Sequence, residues 1–190
     1  MDKIEIKKIA NILLNDGIGV LPTDTLYGLV GRAFSRKAFD RIFELKKRNP
    51  KNPFIILISS IKDLDLFDIK VNENAKKMLE KYWPGKVSII LPCDNEKFSY
   101  LHMGTKTLAF RTPDKKDLLK ILEKTGPLLA PSVNHPGEKE ALTIEEAKKY
   151  FGSSVDFYVD EGKLESLPST LIKIENGKIV VLREGAVEIE

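Results

Sequence analysis

Apolar positions along the chain switch between two periods. From Asp2 to Asn15, Ile6, Ile9, Ile12 and Leu13 recur at helical spacing, and Gly17 reads as the cap that ends this helix. Ile18 to Leu21 is a short apolar run of the kind that forms a buried strand, and it drops into the polar turn Pro22-Thr23-Asp24-Thr25. Helical spacing returns after Ser35, a natural N-cap, with Ala38, Phe39, Ile42 and Phe43 on one face. That helix ends in Lys46-Lys47-Arg48, with Pro50 and Pro53 read as its stops, and Phe54 to Ile58 reads as the next strand.

The alternation continues to the end of the chain. Ser60 to about Phe67 reads as a short helix or turn. Asn72 caps a helix through Tyr82 with Ala75, Met78 and Leu79 inward, and Trp83-Pro84-Gly85 ends it. Val87 to Leu91 and Thr107 to Phe110 read as strands, with Cys93 to Thr105 a loop between them. Pro113 marks a helix start, and Leu118, Leu119, Ile121 and Leu122 form that helix's buried face. Pro127 to Ala130 reads as a strand that breaks into Pro131-Ser132-Val133-Asn134-His135-Pro136-Gly137. Thr143 and Glu146 make a capping box for a helix through about Tyr150. Val155 to Val159 reads as a strand, and Thr170 to Ile174 with Lys178 to Leu182 read as a hairpin turning at Asn176-Gly177. Helices mixed with parallel-capable strands and one hairpin predict an α/β layer fold with a mixed sheet, in one domain over residues 1–190.

Composition narrows the class. Hydrophobic residues at 42% and charged residues at 31% are ordinary for a globular protein, and 190 residues are enough for a sizeable core without metal or disulfide support. The net charge of +3 is too small by itself to argue for a nucleic-acid partner. One cysteine, Cys93, cannot form an internal disulfide, which fits a reducing compartment. Met1-Asp2-Lys3-Ile4-Glu5 lacks the apolar stretch of a signal peptide, and no run reaches bilayer length; a cytoplasmic location without membrane contact is expected.

Several chemistries are set aside by spacing. Gly85-Lys86-Val87-Ser88 has Glu80 where a phosphate-binding loop needs its first glycine, and Tyr27-Gly28-Leu29-Val30-Gly31 is not a dinucleotide fingerprint. His102 and His135 have no ligand-spaced partners, so no metal site is expected from protein side chains. Cys93 reads as a packed small side chain, and nothing has the pattern of a hydrolase triad.

What remains is a set of small polar residues and cations at element ends, where α/β proteins keep their ligand sites. Lys46 and Arg48 stand at a helix end. Either they solvate there, as cations favour helix C-termini, or they turn toward one pocket, arginine as a fork for carboxylate or phosphate and lysine as a point charge. Ser132 and Asn134, two apart in a proline-flanked loop, read either as turn chemistry or as a pair facing one ligand. Thr107, Arg111, Ser169 and Arg183 repeat the theme at strand ends, and the residue types together suit polyphosphate and carboxylate.

In their order, Pro22-Thr23-Asp24-Thr25-Leu26-Tyr27-Gly28-Leu29, Lys46-x-Arg48 and Ser132-x-Asn134 resemble the threonylcarbamoyl-AMP synthase family, the YrdC-like domain. Trp83-Pro84-Gly85, Ala109-Phe110-Arg111, Ser169-Thr170 and Leu182-Arg183-Glu184-Gly185 extend the resemblance over nearly the whole chain, in the short single-domain form. The resemblance implies a YrdC/RibB-like twisted mixed sheet flanked by helices, with a large basic concave pocket. It implies synthesis of threonylcarbamoyl-adenylate and pyrophosphate from L-threonine, bicarbonate or carbon dioxide, and ATP. Mg2+ would accompany the ATP, held mostly by phosphate and water. The product would serve threonylcarbamoyl modification of tRNA, with tRNA and the downstream threonylcarbamoyl-transferase complex as partners.

By the same resemblance, Thr25, Arg111, Ser132 and Ser169 would hold threonine. Arg48, Asn52, Thr107, Asn134 and Arg183 would hold ATP, with Lys46 between the two and Lys46 and Arg48 catalytic. Leu57, Pro136 and Leu142 depart from the pattern, standing where histidine, serine and threonine occur in other members. Two other readings stay open. A related enzyme of this fold would process another carbamoyl or amino-acid adenylate. A non-catalytic RNA-binding module would track phosphates with salt-dependent affinity, although the sequence lacks interleaved aromatic patches for base stacking.

Overall fold

The computed structural model describes residues 1–47, 54–175 and 178–189. Nine strands among the described residues form one mixed sheet in the order β7-β1-β2-β6-β3-β5-β4-β8-β9. They are β1 (Ile18–Pro22), β2 (Tyr27–Arg32), β3 (Ile55–Leu57), β4 (Val87–Pro92), β5 (Thr107–Arg111), β6 (Leu128–Leu129), β7 (Phe157–Tyr158), β8 (Thr170–Glu175) and β9 (Lys178–Arg183). Three pairs, β1 with β7, β3 with β5 and β4 with β8, are parallel; the other five are antiparallel. The helices are α1 (Lys3–Leu14), α2 (Arg36–Lys46), α3 (Glu73–Tyr82), α4 (Ser99–His102), α5 (Lys116–Thr125) and α6 (Ile144–Phe151).

Period-2 alternation sends each strand's side chains to two different cores. Ile18, Val20, Leu29, Ile56, Ile89 and Phe110 meet α2, α3 and α6. Leu21, Val30, Leu57 and Leu128 meet Ile6, Ile9 and Leu13 of α1 and Leu118, Ile121 and Leu122 of α5. The result is a helix–sheet–helix sandwich, the twisted mixed sheet expected from the sequence. Cys93 is 4% exposed inside the first core, and burial pushes its thiol pKa up, as befits a packed side chain. No described helix is long and apolar enough to cross a membrane.

The caps at Ser35, Asn72 and Thr143 form as read: each side chain accepts the backbone N–H three residues on. The structure departs from the sequence reading in four places. β2 was not expected, because Tyr27-Gly28-Leu29-Val30-Gly31 is buried on both faces and shows no alternation. The left-handed residue after α1 is Asp16 at φ 62°, not Gly17. Gly17 is needed for close approach instead, since a Cβ there would lie 2.4 Å from Ile12 Cγ2. α2 ends as read, at Lys46 with left-handed Lys47 as its cap, while Pro50 and Pro53, read as its stops, lie outside the described residues. Residues 93–105 are not all loop but contain a 3₁₀ turn (Glu96–Phe98) and α4. α5 begins at Lys116, three residues after Pro113. The hairpin forms, although its Asn176-Gly177 turn is outside the described residues.

Candidate active site on the open face of the sheet

Where α1 and α5 stop covering the sheet, three polar segments enclose a cavity. The first is the turn between β1 and β2. Thr23 Oγ1 donates to Leu26 O at 2.7 Å, accepts from Thr25 N at 3.1 Å and lies 3.0 Å from Thr25 Oγ1, so the turn satisfies itself. Asp24 is thereby turned inward. Its Oδ1 accepts from Arg111 Nη1 and its Oδ2 accepts from Asp114 N at 3.1 Å. Both members of this ion pair have side chains only 4% exposed. Arg111 Nη2 lies 3.4 Å from Thr25 Oγ1, and Arg111 Nε is buried without a partner. The guanidinium is anchored on one side and retains an unmet donor on the other.

The second segment runs from Pro131 to Asn134. Leu29 N donates to Pro131 O at 2.9 Å, and Gly28 bridges to Ser132, which continues the sheet past β6. Ser132 Oγ donates to Asn134 Oδ1 at 2.9 Å. Lys46, 3% exposed at the end of α2, donates from Nζ to Ser132 O at 2.7 Å, Asn134 O at 2.5 Å and Asn134 Oδ1 at 2.6 Å. The ammonium expected between two substrates is found on the loop that carries Ser132 and Asn134. Asn134 Nδ2 in turn donates to Glu138 O at 2.7 Å.

The third segment is Pro168-Ser169. Ser169 Oγ is 2.8 Å from Ser88 Oγ, and Arg183 Nη2 donates to Ser169 O at 2.7 Å and Ser169 Oγ at 3.3 Å. Gly185 lies against this segment so closely that a Cβ would sit 2.4 Å from Pro168 O. Partial burial pushes the Arg183 pKa below its ordinary value; Glu140 opposes that shift and the like charge of Arg111 adds to it.

Thr25, Arg111, Ser132 and Ser169, expected as one set, line this one cavity together with Arg183. Ile55 and Ala130 contribute an apolar floor. Thr107 does not line it. It shares a face of β5 with Ala109 and Arg111, since Phe110 points into the aromatic core, and lies four residues or roughly 13 Å further along the strand. Asn134 and Lys46 stand behind the Ser132 wall and are not lining residues. Arg48 and Asn52 lie outside the described residues. Of the three departures, Leu57 is fully buried in the core under α1 and α5, Pro136 is exposed, and Leu142 N donates to Glu146 Oε2 at 2.7 Å.

Sequence reasoning passed over Asp24, Ser88 and Glu140. Asp24 stood in the quoted turn, but its partner is 87 residues away. Ser88 looked like part of an apolar strand, and Glu140 like one charge in Gly137-Glu138-Lys139-Glu140. One aromatic and cationic cluster also forms that the sequence reading did not expect: Arg36 lies 5.5 Å from the Tyr100 ring and Lys97 5.4 Å from the Phe98 ring. Phe98 is 1% exposed, so its ring face is not available for stacking. Among the described residues no group of three His, Cys, Asp or Glu side chains could hold a metal ion.

Paired guanidinium groups, hydroxyls and an apolar floor define a small-molecule site for a ligand that carries anionic and hydroxyl groups. Residues 11–185 match the Sua5/YciO/YrdC family, described as Telomere recombination, and the chain belongs to that family. It is 32% identical over its full length to a putative threonylcarbamoyl-AMP synthase of Methanocaldococcus jannaschii, covering 92% of that protein. It is 30% identical to the threonylcarbamoyl-AMP synthase of Bacillus subtilis, with 98% of this chain aligned to 55% of that one. Among solved structures, Sua5 of P. abyssi complexed with L-threonine superposes with a TM-score of 0.89 at 29% identity, over 97% of this chain and 55% of that one. E. coli YciO superposes at 0.88 with 26% identity, over 98% and 92%. The chain thus spans about half the length of the B. subtilis and P. abyssi proteins and nearly all of the M. jannaschii and E. coli ones.

Proposed function

We propose that this chain is an L-threonylcarbamoyladenylate synthase, a nucleotidyltransferase that joins L-threonine, bicarbonate or carbon dioxide, and ATP into threonylcarbamoyl-AMP with release of pyrophosphate. The observation that carries this reading is the convergence of Thr25, Arg111, Ser132, Ser169 and Arg183 on one cavity from five separated parts of the chain. The relatives named as threonylcarbamoyl-AMP synthases and the threonine complex of the P. abyssi protein support the same substrate.

The chemistry uses this chain's residues as binders and orienters. Arg111, held by Asp24, presents its guanidinium to the threonine carboxylate, and Thr25 and Ser132 supply hydroxyls for the remaining polar atoms. The threonine amine and bicarbonate give a carbamate with loss of water, and the carbamate oxygen attacks the α-phosphorus of ATP while the bond to pyrophosphate breaks. Carbamates are short-lived in water, so a recessed cavity that holds amine, carbon and phosphate together favours the forward step. Charge develops on the phosphoryl and pyrophosphate oxygens, where Arg183 on the rim and Arg48 stabilise it. ATP extends from Arg183 along the open face toward Thr107, with Asn52 and Asn134 as further contacts and Lys46 fixing the loop between the two substrates. Mg2+ would enter as part of the ATP substrate, carried by phosphate and water.

The product is a substrate for threonylcarbamoyl transfer to tRNA, which places tRNA, the transferase complex and the cytoplasm in this proposal. Pyrophosphate release with ATP and bicarbonate, screened across amino acids, tests it. Threonine is expected to give the largest release and an adduct of threonylcarbamoyl-AMP mass. Equal release without threonine would sink the assignment. The departures at Leu57, Pro136 and Leu142 favour one alternative, a related carbamoyl or amino-acid adenylate enzyme, and the same screen would reveal it through a different preferred amino acid.

A further inference from the structure

We infer that Ser88 is a positioning residue for the reaction: it donates its hydroxyl hydrogen to Ser169 Oγ and so obliges Ser169 to donate into the cavity. The inference rests on the proposed function for the identity of the ligand, and on geometry alone for the direction of the hydrogen bond. Ser88 is 0% exposed, and its hydroxyl lies 2.8 Å from Ser169 Oγ, its one hydrogen-bond partner among the described residues. Two orientations of that bond exist. If Ser169 donated, the Ser88 hydrogen would be buried with no acceptor, and a buried donor left without a partner carries the full desolvation penalty. If Ser88 donates, only lone pairs stay unmet, which is the milder defect.

The other neighbour of Ser169 Oγ points the same way. Arg183 Nη2, 3.3 Å away, can only donate, because guanidinium has no acceptor. Ser169 Oγ therefore accepts from Ser88 and from Arg183, which fills both of its lone pairs. Its single hydrogen is left over, and Ser169 lines the cavity. A ligand atom that meets it must be an acceptor: a carboxylate, carbamate, phosphoryl or hydroxyl oxygen and not an ammonium. With the Arg183 charge beside it, the Ser169 wall suits the anionic part of the amino-acid substrate or its carbamate, and the amine lies away from it. Ser88 touches no substrate, and its whole effect passes through Ser169.

The test is a double-mutant cycle of Ser88→Ala and Ser169→Ala read in pyrophosphate release, with KM for the amino acid separated from kcat. Ser88→Ala alone is expected to raise that KM roughly five- to tenfold, the worth of one neutral hydrogen bond. Ser88→Thr, which keeps the hydroxyl, should restore the parent value. In the Ser169→Ala background, Ser88→Ala should add nothing further. An unchanged KM in Ser88→Ala, or the same penalty with and without the Ser169 hydroxyl, would overturn the inference. Should Ser88→Ala fail to fold, Ser88→Cys keeps the volume with a weaker donor and replaces it in the cycle. If the parent prefers an amino acid other than threonine, the functional reading falls while the cycle runs unchanged on that amino acid.

Discussion

Asp24 and Arg111, 87 residues apart, form a buried ion pair that joins the β1–β2 turn to the end of β5. A buried pair of this kind is weak evidence for stability, because both charges had to leave water. Its effect here is geometric, since it fixes the guanidinium that lines the cavity beside Thr25.

Asp24→Ala strands the Arg111 charge. Destabilisation of about 3–5 kcal/mol is expected, the range for removing one member of a buried pair, together with loss of threonine binding. Asp24→Asn keeps the shape but not the charge and should fall between Asp24→Ala and the parent. Urea unfolding with threonine titration checks both; parent-like behaviour of Asp24→Ala would show that Arg111 needs no anchor.

At the end of α2, neighbouring lysines should behave in opposite ways. Lys46→Ala removes an ammonium that donates to three acceptors on the Ser132–Asn134 loop, so catalysis should fall by about 30- to 1000-fold, with ATP and threonine binding both weakened. Lys47 has φ 45° and an exposed side chain, so Lys47→Gly relieves a left-handed residue and should raise Tm by a few degrees with activity intact. Arg48→Lys tests the fork for phosphate and should lose most of the activity.

Gly185→Ala puts a methyl group 2.4 Å from Pro168 O and 2.6 Å from Thr170 N, both backbone atoms. The segment that carries Ser169 must shift. A stability loss of roughly 1–3 kcal/mol is expected, with a larger rise in threonine KM than in ATP KM. Steady-state kinetics with each substrate varied separately decides this, and equal rises would place the strain elsewhere.

Acid should loosen the far edge of the sheet first. Asp156 is held below its ordinary pKa chiefly by the Arg41 hydrogen bond at 2.7 Å, and also by the Ile18 N–H at 2.8 Å, with burial opposing. A carboxyl whose folded pKa is depressed contributes stability above its unfolded pKa, near 4, and loses it as pH falls through the folded value. As pH falls below about 4, Tm of the parent should drop faster than that of Asp156→Asn. Parallel curves would show that the pair is inert.

Legibility followed how local the cause was. Ser35, Asn72 and Thr143 cap helices through atoms three residues on, so the sequence pattern suffices to place them. β2 escaped because it is covered on both faces and carries two glycines, which erases the alternation. That Thr25, Arg111, Ser132 and Ser169 share one cavity was legible through motif order. The partners that orient them were not, because Asp24–Arg111 and Ser88–Ser169 are bonds across 87 and 81 residues. A buried serine in a strand looks the same in sequence whether its hydroxyl serves packing or a site.

The cavity closes only when the first turn, β5, the Ser132 loop and the Ser169 segment have all been brought together by the one sheet. Asp24 and Thr25 come from the first half of the chain, and Arg111, Ser132, Ser169 and Arg183 from the second. A bound amino acid would therefore tie the N-terminal third to the C-terminal strands, acting as a reversible crosslink whose strength rises with the logarithm of its concentration. Protection against hydrogen exchange on β1 and β8, strands far apart in the sheet, would then rise together when substrate is added.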